Sequence, residues 1–222
     1  MLLLETEWAL VTAIRLLVPL LILRRPLPGI LLAIVADFLD YRILDLDHGT
    51  QAERDFYQPW DKTLDLYYMA IALYVSFSWQ DHIARNIGIA IFSYRMVGVG
   101  VLVATGAPEV LLAFPNLFEN YFVIFYLYRF FAGEELVFAR YGEAFPLLLA
   151  ITVPQVFREY FVHIAEDRPW LMITLVPVGG QLMHLMERGF WISLYLLPQV
   201  AALRSLLLAR GVVWEWRILW AR

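Results

Sequence analysis

Long apolar stretches follow one another along nearly the whole chain and are separated by short polar intervals. A helix needs about 20 apolar residues to cross the hydrocarbon core of a bilayer. On that measure the pattern predicts membrane spans at 8–24, 28–44, 63–79, 86–104, 110–131, 144–163 and 170–187. A further stretch, 190–208, is either an eighth span after the Glu187-Arg188-Gly189 interruption or part of a long helix kinked at Pro177 and Pro198. We therefore predict an all-α, polytopic transmembrane helix bundle of about seven helices, between six and eight.

The polar intervals leave no room for a soluble domain, since the longest of them is only 45–62. The sequence thus predicts a single integral membrane domain, 1–222. Composition agrees, because 61% of the residues are hydrophobic and 16% are aromatic. The chain has no cysteine, which excludes disulfides, thiolate catalysis, zinc–thiolate sites and iron–sulfur clusters. It also lacks a basic stripe, so we expect no nucleic acid among its partners.

The arginines of the short loops predict how the bundle is oriented. Arg24, Arg25, Arg85 and Arg140 fall in loops that seven spans place on one face of the membrane. Cytoplasmic loops carry an excess of Lys and Arg. We expect the amino terminus outside, the carboxyl terminus in the cytoplasm and the acidic 45–62 interval facing outward.

Charged residues also lie inside the predicted spans. An Arg or Asp near the middle of the membrane costs about 2.5–3.5 kcal/mol. Five such groups would together cost as much as the whole stability of an ordinary domain, unless they pair, bind an ion or line a wet cavity. The sequence therefore predicts a polar interior that gathers them: Arg15, Arg95, Glu119, Arg158 and Glu159.

Paired carboxylates form the densest acidic feature. Asp37 and Asp40 are spaced i, i+3 at the end of the second predicted helix, and Asp61 and Asp65 are spaced i, i+4 at the start of the third. Each pair shares a helix face, and both pairs are expected at the same membrane surface. Four carboxylates at close range repel one another unless a cation lies among them, and oxygen-only ligands suit Mg²⁺, Mn²⁺ or Ca²⁺.

An alternative reading gives these aspartates no chemical role. They would hydrate a loop and cap helix ends, and Asp61 near a helix start would favour the helix dipole. Asp37 and Asp40, at a carboxyl end, oppose the dipole and need a cation, for which Arg42 is the candidate nearest in sequence.

The arrangement D-x-x-D, an intervening stretch and then D-x-x-x-D resembles the signature of the CDP-alcohol phosphatidyltransferases. The resemblance implies that Asp37, Asp40 and Asp61 ligate a divalent cation, Mg²⁺ or Mn²⁺. It also implies that Asp65 combines metal binding with activation of the alcohol that attacks a CDP-linked lipid. Tyr41 and Tyr57 stand where that family has glycine, and Leu44 and Asp45 stand at its Ala and Arg positions.

A second constellation comprises Asn116, Glu119 and Asn120 together with Arg95 and Arg129. The two arginines could hold a phosphate or carboxylate headgroup while Glu119 handles a proton or a metal. The alternative is that Glu119 pairs with Arg95 and that the asparagines bridge neighbouring helices.

Histidines provide secondary candidates. Glu159 and His163 are spaced i, i+4, and His184 with Glu187 falls in the next predicted span. Such groups bind metal or relay protons, or they hydrogen-bond across helices.

These features favour a membrane-embedded, metal-dependent transferase acting on a lipid or isoprenoid phosphate, with Asp65 and Glu119 as catalytic residues and Arg42, Arg95 and Arg129 binding substrate. The competing hypothesis is a non-enzymatic protein, either an accessory subunit of a larger membrane complex or a small ion or proton pathway. The partners we expect are membrane lipids, with either a second copy of the chain or other subunits of a membrane complex.

Overall fold

The computed structural model describes residues 2–46, 49–163 and 178–211 of the 222, with side chains described except at 2–5, 54, 161–163 and 178–191. These residues form helices joined by turns, with no strand among them. The helices are α1 (Leu2–Leu17), α2 (Pro26–Ile43), α3 (Gln51–Ser76), α4 (His82–Thr105), α5 (Val110–Ala113), α6 (Phe118–Ala132), α7 (Phe145–His163) and α8 (Val178–Ala209). The prediction of an all-α helix bundle is confirmed.

Four stretches of the described residues are long and apolar enough to cross a membrane, so the chain is a membrane protein. They are Thr6–Leu23, His82–Thr105, Val110–Ala132 and Ile192–Ala209. Large apolar side chains on the outside of the bundle, among them Leu17 (64% exposed) and Leu197 (62% exposed), suit contact with lipid.

Helix α6 lies at the centre of the bundle. It contacts α2, α3, α4, α7 and α8. Its aromatic side chains Phe118, Tyr121, Phe122 and Phe125 are fully buried, and Trp79 stacks on Phe125 with the ring centroids 3.7 Å apart. This central helix brings polar residues from the surrounding helices within reach of one another.

The third helix begins well before its predicted start. Thr50 and Glu53 form a capping box, in which the Thr50 side chain accepts from the Glu53 backbone N–H and the Glu53 side chain accepts from Thr50. A helix therefore starts at Gln51, and the prediction of a polar loop over 45–62 is wrong from that residue on. Asp61 and Asp65 lie about 15 and 21 Å along α3 rather than at its start.

The predicted span 110–131 is interrupted. Helix α5 ends at Ala113, Pro115 follows, and α6 begins at Phe118. Proline has no backbone N–H and disfavours helical conformation in the preceding residue, which explains the break. The freed carbonyls are satisfied by α4, since the Tyr94 hydroxyl donates to Ala113 O and Arg95 Nη1 donates to Phe114 O at 2.6 Å.

Helix α8 resolves the ambiguity at 190–208. That stretch continues a helix from Val178 that runs through Glu187, Arg188 and Gly189 and contains Pro198. No new helix starts at residue 190 in this described stretch. The first part of the predicted span 170–187 lies outside the described residues.

Candidate functional site

Arg15 lies among four aspartates in the interior of the bundle. Its side chain is 1% exposed, and it reaches from α1 to α2 and α3. Nη1 lies 2.7 Å from Asp37 Oδ1 and 3.2 Å from Asp61 Oδ1, and it also contacts Asp40 Oδ2. Nη2 lies 2.8 Å from Asp65 Oδ1. The four predicted aspartates therefore do converge, around an arginine of the first helix.

Lys62 and Tyr57 engage the oxygens on the other side of these carboxylates. Lys62 Nζ lies 2.6 Å from Asp61 Oδ2 and 3.0 Å from Asp65 Oδ2. The Tyr57 hydroxyl donates to Asp40 Oδ1 at 2.6 Å. Asp40, Asp61 and Asp65 are 0%, 6% and 3% exposed, so the reading in which they hydrate a loop and cap helix ends is wrong.

An aromatic cluster covers this group toward the α2–α3 turn. Its members are Trp8, Tyr41, Phe56, Tyr57 and Trp60. The Trp8 ring lies 5.1 Å from that of Trp60 and 5.5 Å from that of Phe56, in edge-on contacts. Such contacts contribute beyond the area they bury, and here they close the carboxylates off from that end of the bundle.

A cavity of about 30 Å³ adjoins the aspartates on the side away from the aromatic cluster. That volume suffices for one or two waters or a small ion. Its wall combines carboxylates, cations and an amide from five helices and the α5–α6 break, namely Asp37, Lys62, Asp65, Arg95, Asn116, Glu119, Arg158 and Glu159.

The α5–α6 break forms part of this wall. Asn116 follows Pro115 in the break and is 4% exposed, and Glu119 is in the first turn of α6. Non-helical backbone at membrane depth is tolerated where it is buried in protein or lines a cavity. Because the helix is broken at this point, the amide of Asn116 and the carboxylate of Glu119 both line the cavity.

Arg95 carries an unsatisfied donor at this cavity. The residue is 1% exposed, donates through Nη1 to Phe114 O, and lies 3.9 Å from Glu159 Oε1. Its Nε is buried and has no hydrogen-bond partner among the described residues. An orphaned guanidinium N–H is costly in a protein interior and points to a further acceptor at this position.

Glu119 and Glu159 each lie in a hydrogen-bonded network. Glu119 Oε2 accepts from the Tyr68 hydroxyl and from Asn116 Nδ2, the latter at 3.2 Å. Gln155 Nε2 donates to Glu159 Oε1 at 3.5 Å, and the Tyr195 hydroxyl lies 2.8 Å from Gln155 Oε1. The polar interior therefore extends from α1 to α8.

Formal charges at the site do not cancel. With all of them ionised, six carboxylates and four cations leave two negative charges among the described residues: Asp37, Asp40, Asp61, Asp65, Glu119 and Glu159 against Arg15, Lys62, Arg95 and Arg158. A divalent cation would balance this excess.

The donor set also fits a divalent cation by chemistry and spacing. Asp37, Asp61 and Asp65 each offer an oxygen, and the three oxygens lie within 4.8 Å of one another. Oxygens on opposite sides of one ion are about 4.2 Å apart for Mg²⁺ and about 4.6–5.2 Å apart for Ca²⁺. Carboxylates alone, without sulfur or imidazole, suit such hard ions.

Comparison with known proteins adds no relative to these observations. No protein-family model, curated protein or solved structure matches the chain.

Two predicted substrate-binding arginines lie away from the cavity. Arg42 is exposed, with its guanidinium 5.8 Å from the centre of the Phe38 ring, and Arg15 is the arginine that contacts Asp37 and Asp40. Arg15 reaches these carboxylates because α1 packs beside α2. Arg129 is half-exposed and lies 3.0 Å from Glu135, about 15 Å along α6 from Glu119.

The other predicted contacts can also be placed. Arg95 lies beside Glu159, and Glu119 is bound by Tyr68 and Asn116. Asn120 does bridge helices, since it donates to Gln155 of α7 and Tyr195 of α8. The side chains of His163, His184 and Glu187 lie outside the described residues.

Sequence reasoning overlooked several members of the site. Lys62 stood out only as the single lysine of the chain, and the roles of Tyr57, Tyr68 and Gln155 were not foreseen. One signal was available: Lys62 lies between Asp61 and Asp65, and on a helix that extends to Gln51 all three are interior residues.

Proposed function

We propose that this chain is a membrane-embedded, metal-dependent transferase that acts on a lipid or isoprenoid phosphate. The observation that carries the proposal is that carboxylates and arginines line the same cavity. Asp37 and Asp65, whose oxygens group with that of Asp61, form one wall, and Arg95 and Arg158 lie on the same cavity. Carboxylates that suit a divalent cation and arginines that suit a phosphate are the two halves of a phosphoryl-transfer site.

A divalent cation held by Asp37, Asp61 and Asp65 would neutralise phosphate oxygens. Arg95, through its unpaired Nε, and Arg158 would bind the phosphate and orient it. An acceptor hydroxyl would lose its proton to a carboxylate as its oxygen bonds to phosphorus. The bond from phosphorus to the leaving phosphate oxygen would break, and that group would depart as an anion.

Glu119 is better placed than Asp65 to take this proton. Both oxygens of Asp65 are held by cations, Oδ1 by Arg15 and Oδ2 by Lys62. The hydrogen bonds that described residues donate to Glu119 both end on Oε2. Its Oε1 is therefore the more available base.

We also propose seven membrane crossings, with α5 and α6 counted as one, the amino terminus outside and the carboxyl terminus cytoplasmic. This arrangement brings Arg24, Arg25, Arg85 and Arg140 to one face, as the distribution of basic residues in short loops requires.

The topology can be tested directly because the chain has no cysteine of its own. Single cysteines in place of Asp55, before the aromatic cluster, and Arg140, after α6, should fall on opposite sides of the membrane. We expect a membrane-impermeant maleimide to label the Asp55→Cys variant in intact cells and the Arg140→Cys variant only after lysis. Equal labelling of both variants in intact cells would reject this topology.

The metal site is tested by Mn²⁺ binding to EDTA-treated, detergent-purified protein. We expect Asp61→Asn combined with Asp65→Asn to weaken Mn²⁺ binding by about a hundredfold or more, since each tenfold corresponds to only about 1.4 kcal/mol. Asp55→Asn is the matched control, because Asp55 is an exposed aspartate on the same helix and accepts from Gln51. Undiminished binding by the double variant would end the proposal.

A second candidate function is non-enzymatic, either an accessory subunit of a membrane complex or a small ion or proton pathway. It is favoured by the small cavity, about 30 Å³, and by the internal pairing of the aspartates with Arg15 and Lys62. Release of CMP from a CDP-linked lipid in the presence of Mn²⁺ and an alcohol would support the enzyme. Purification in a fixed complex with unrelated subunits, without such release, would support the alternative.

A further inference from the structure

One cation, Arg15, already binds the three carboxylates that could hold a divalent ion. Asp37, Asp61 and Asp65 direct their Oδ1 atoms at the same guanidinium, at 2.7, 3.2 and 2.8 Å. These are the three residues whose oxygens group closely enough to hold an ion. An ion and the Arg15 guanidinium cannot share those oxygens at these distances, because each needs the same lone pairs.

Lys62 does not compete in this way. Among the described residues it binds the Oδ2 atoms of Asp61 and Asp65, whereas Arg15 binds their Oδ1 atoms. Lys62 can therefore remain in place while the Oδ1 atoms change partner. Of the two cations, Arg15 is the one that contacts all three of these carboxylates.

The structure offers Arg15 an alternative position. Asp40 contacts Arg15 but is not one of the three grouped aspartates, and it is fixed by the Tyr57 hydroxyl at 2.6 Å. Arg15 could therefore withdraw onto Asp40 and remain paired when the other three carboxylates are taken. Tyr57 belongs to the aromatic cluster, which holds Asp40 in position.

The site also contains features that call for a further ligand. The ten charged groups leave two negative charges, and the buried Nε of Arg95, on the same cavity as Asp37 and Asp65, lacks a partner among the described residues. Pairing with Arg15 thus gives the aspartates partners but leaves the two negative charges and the Nε of Arg95 without theirs among the described residues.

We propose that Arg15 is a tethered counter-ion that occupies the divalent-cation site in the resting protein and withdraws onto Asp40 when the ion binds. This inference rests on the proposed metal site and adds its regulation. It makes the metal affinity of the protein depend on how often Arg15 leaves the three carboxylates. If the withdrawn state is populated at about 0.1–10%, removal of Arg15 raises the apparent affinity by about 10- to 1000-fold.

The test compares Mn²⁺ binding to four full-length variants by isothermal titration in detergent, after EDTA treatment. Asp40→Asn retains Arg15, whereas Arg15→Gln in the Asp40→Asn background removes it with the same overall charge as wild type. We expect the double variant to bind Mn²⁺ about tenfold or more tightly than Asp40→Asn alone. The Mn²⁺ affinity of Arg15→Lys, which keeps the charge but loses the planar guanidinium, should lie between those of wild type and the double variant. Arg15→Lys replaces the double variant in the comparison if the double variant does not fold.

Lys62→Gln separates displacement from simple electrostatics. It removes a positive charge from the same aspartates but not from the Oδ1 side. A gain in affinity from Lys62→Gln as large as that from loss of Arg15 would overturn the proposal. Equal Mn²⁺ affinities with and without Arg15 would also overturn the proposal. Mn²⁺ binding by the wild type would in that case still support the metal site. No Mn²⁺ binding by any variant would overturn both.

Discussion

Replacement of Arg15 by methionine should lower the free energy of unfolding, measured in EDTA, by at least about 3–5 kcal/mol, the usual cost of removing one partner of a buried ion pair. Methionine preserves much of the side-chain length, so the loss reflects charge and hydrogen bonding rather than a large cavity. Arg15 contacts four carboxylates, and without it Lys62 is the only cation bonded to them among the described residues. Since ordinary domains are stable by only about 5–15 kcal/mol, this variant should be close to unfolding.

The matched control is Arg42→Met. Arg42 lies on the adjacent helix and is nearer to Asp40 in sequence, but it is exposed and lies over Phe38. Exposed charges contribute about 0–1 kcal/mol, so this variant should unfold like wild type. Unfolding can be followed by tryptophan fluorescence during titration of dodecyl sulfate into mixed micelles.

Addition of Asp40→Asn to Arg15→Met should recover part of the lost stability, because one unpaired carboxylate is removed with its cation. Similar unfolding of the Arg15→Met and Arg42→Met proteins would contradict the structure of this site. It would mean that the aspartates are neutralised in another way.

Replacement of Arg95 by methionine should be the second large effect, about 3–5 kcal/mol. The side chain is buried beside Glu159 and donates to the carbonyl of Phe114 at the α5–α6 break. Its loss leaves a carboxylate and a backbone carbonyl without this donor at membrane depth, where no solvent replaces it. The break should loosen together with the adjacent residues Asn116 and Glu119.

Arg129→Met is the control for this prediction. Arg129 also pairs with a glutamate, Glu135 at 3.0 Å, but its side chain is 49% exposed. An exposed pair contributes about 0.2–1 kcal/mol. The same unfolding titration applies, and proteolysis between α5 and α6 reports on the break. If Arg129→Met costs as much as Arg95→Met, burial of the Arg95–Glu159 pair is not what stabilises the bundle.

Hydrophobic patterning was sufficient for the fold class and for most helices, because apolar stretches of membrane length have few alternatives to a helix. It failed at residues 51–62, which are polar and contain Pro59. The start of α3 is set by the capping box of Thr50 and Glu53. This local signal does not appear in the pattern of apolar residues. Because of this error, Asp61 and Asp65 were predicted at the membrane surface, whereas they are buried in the bundle.

The membership of the site was predictable in part. The cost of burying charge correctly drew attention to Arg15, Arg95, Glu119, Arg158 and Glu159. Which charge meets which depends on how helices rotate and pack, so the pairing of Arg15 with aspartates 22 to 50 residues away could not be inferred. Closeness in sequence favoured Arg42, which is exposed.

The pairing of Arg15 has a consequence for how the chain enters the membrane during synthesis. The first helix carries a guanidinium whose partners lie on α2 and α3, up to Asp65. Until those segments leave the ribosome, α1 would expose an unpaired charge to lipid, which is unfavourable. The three amino-terminal helices should therefore remain at the insertion machinery and pass into the bilayer together rather than one at a time.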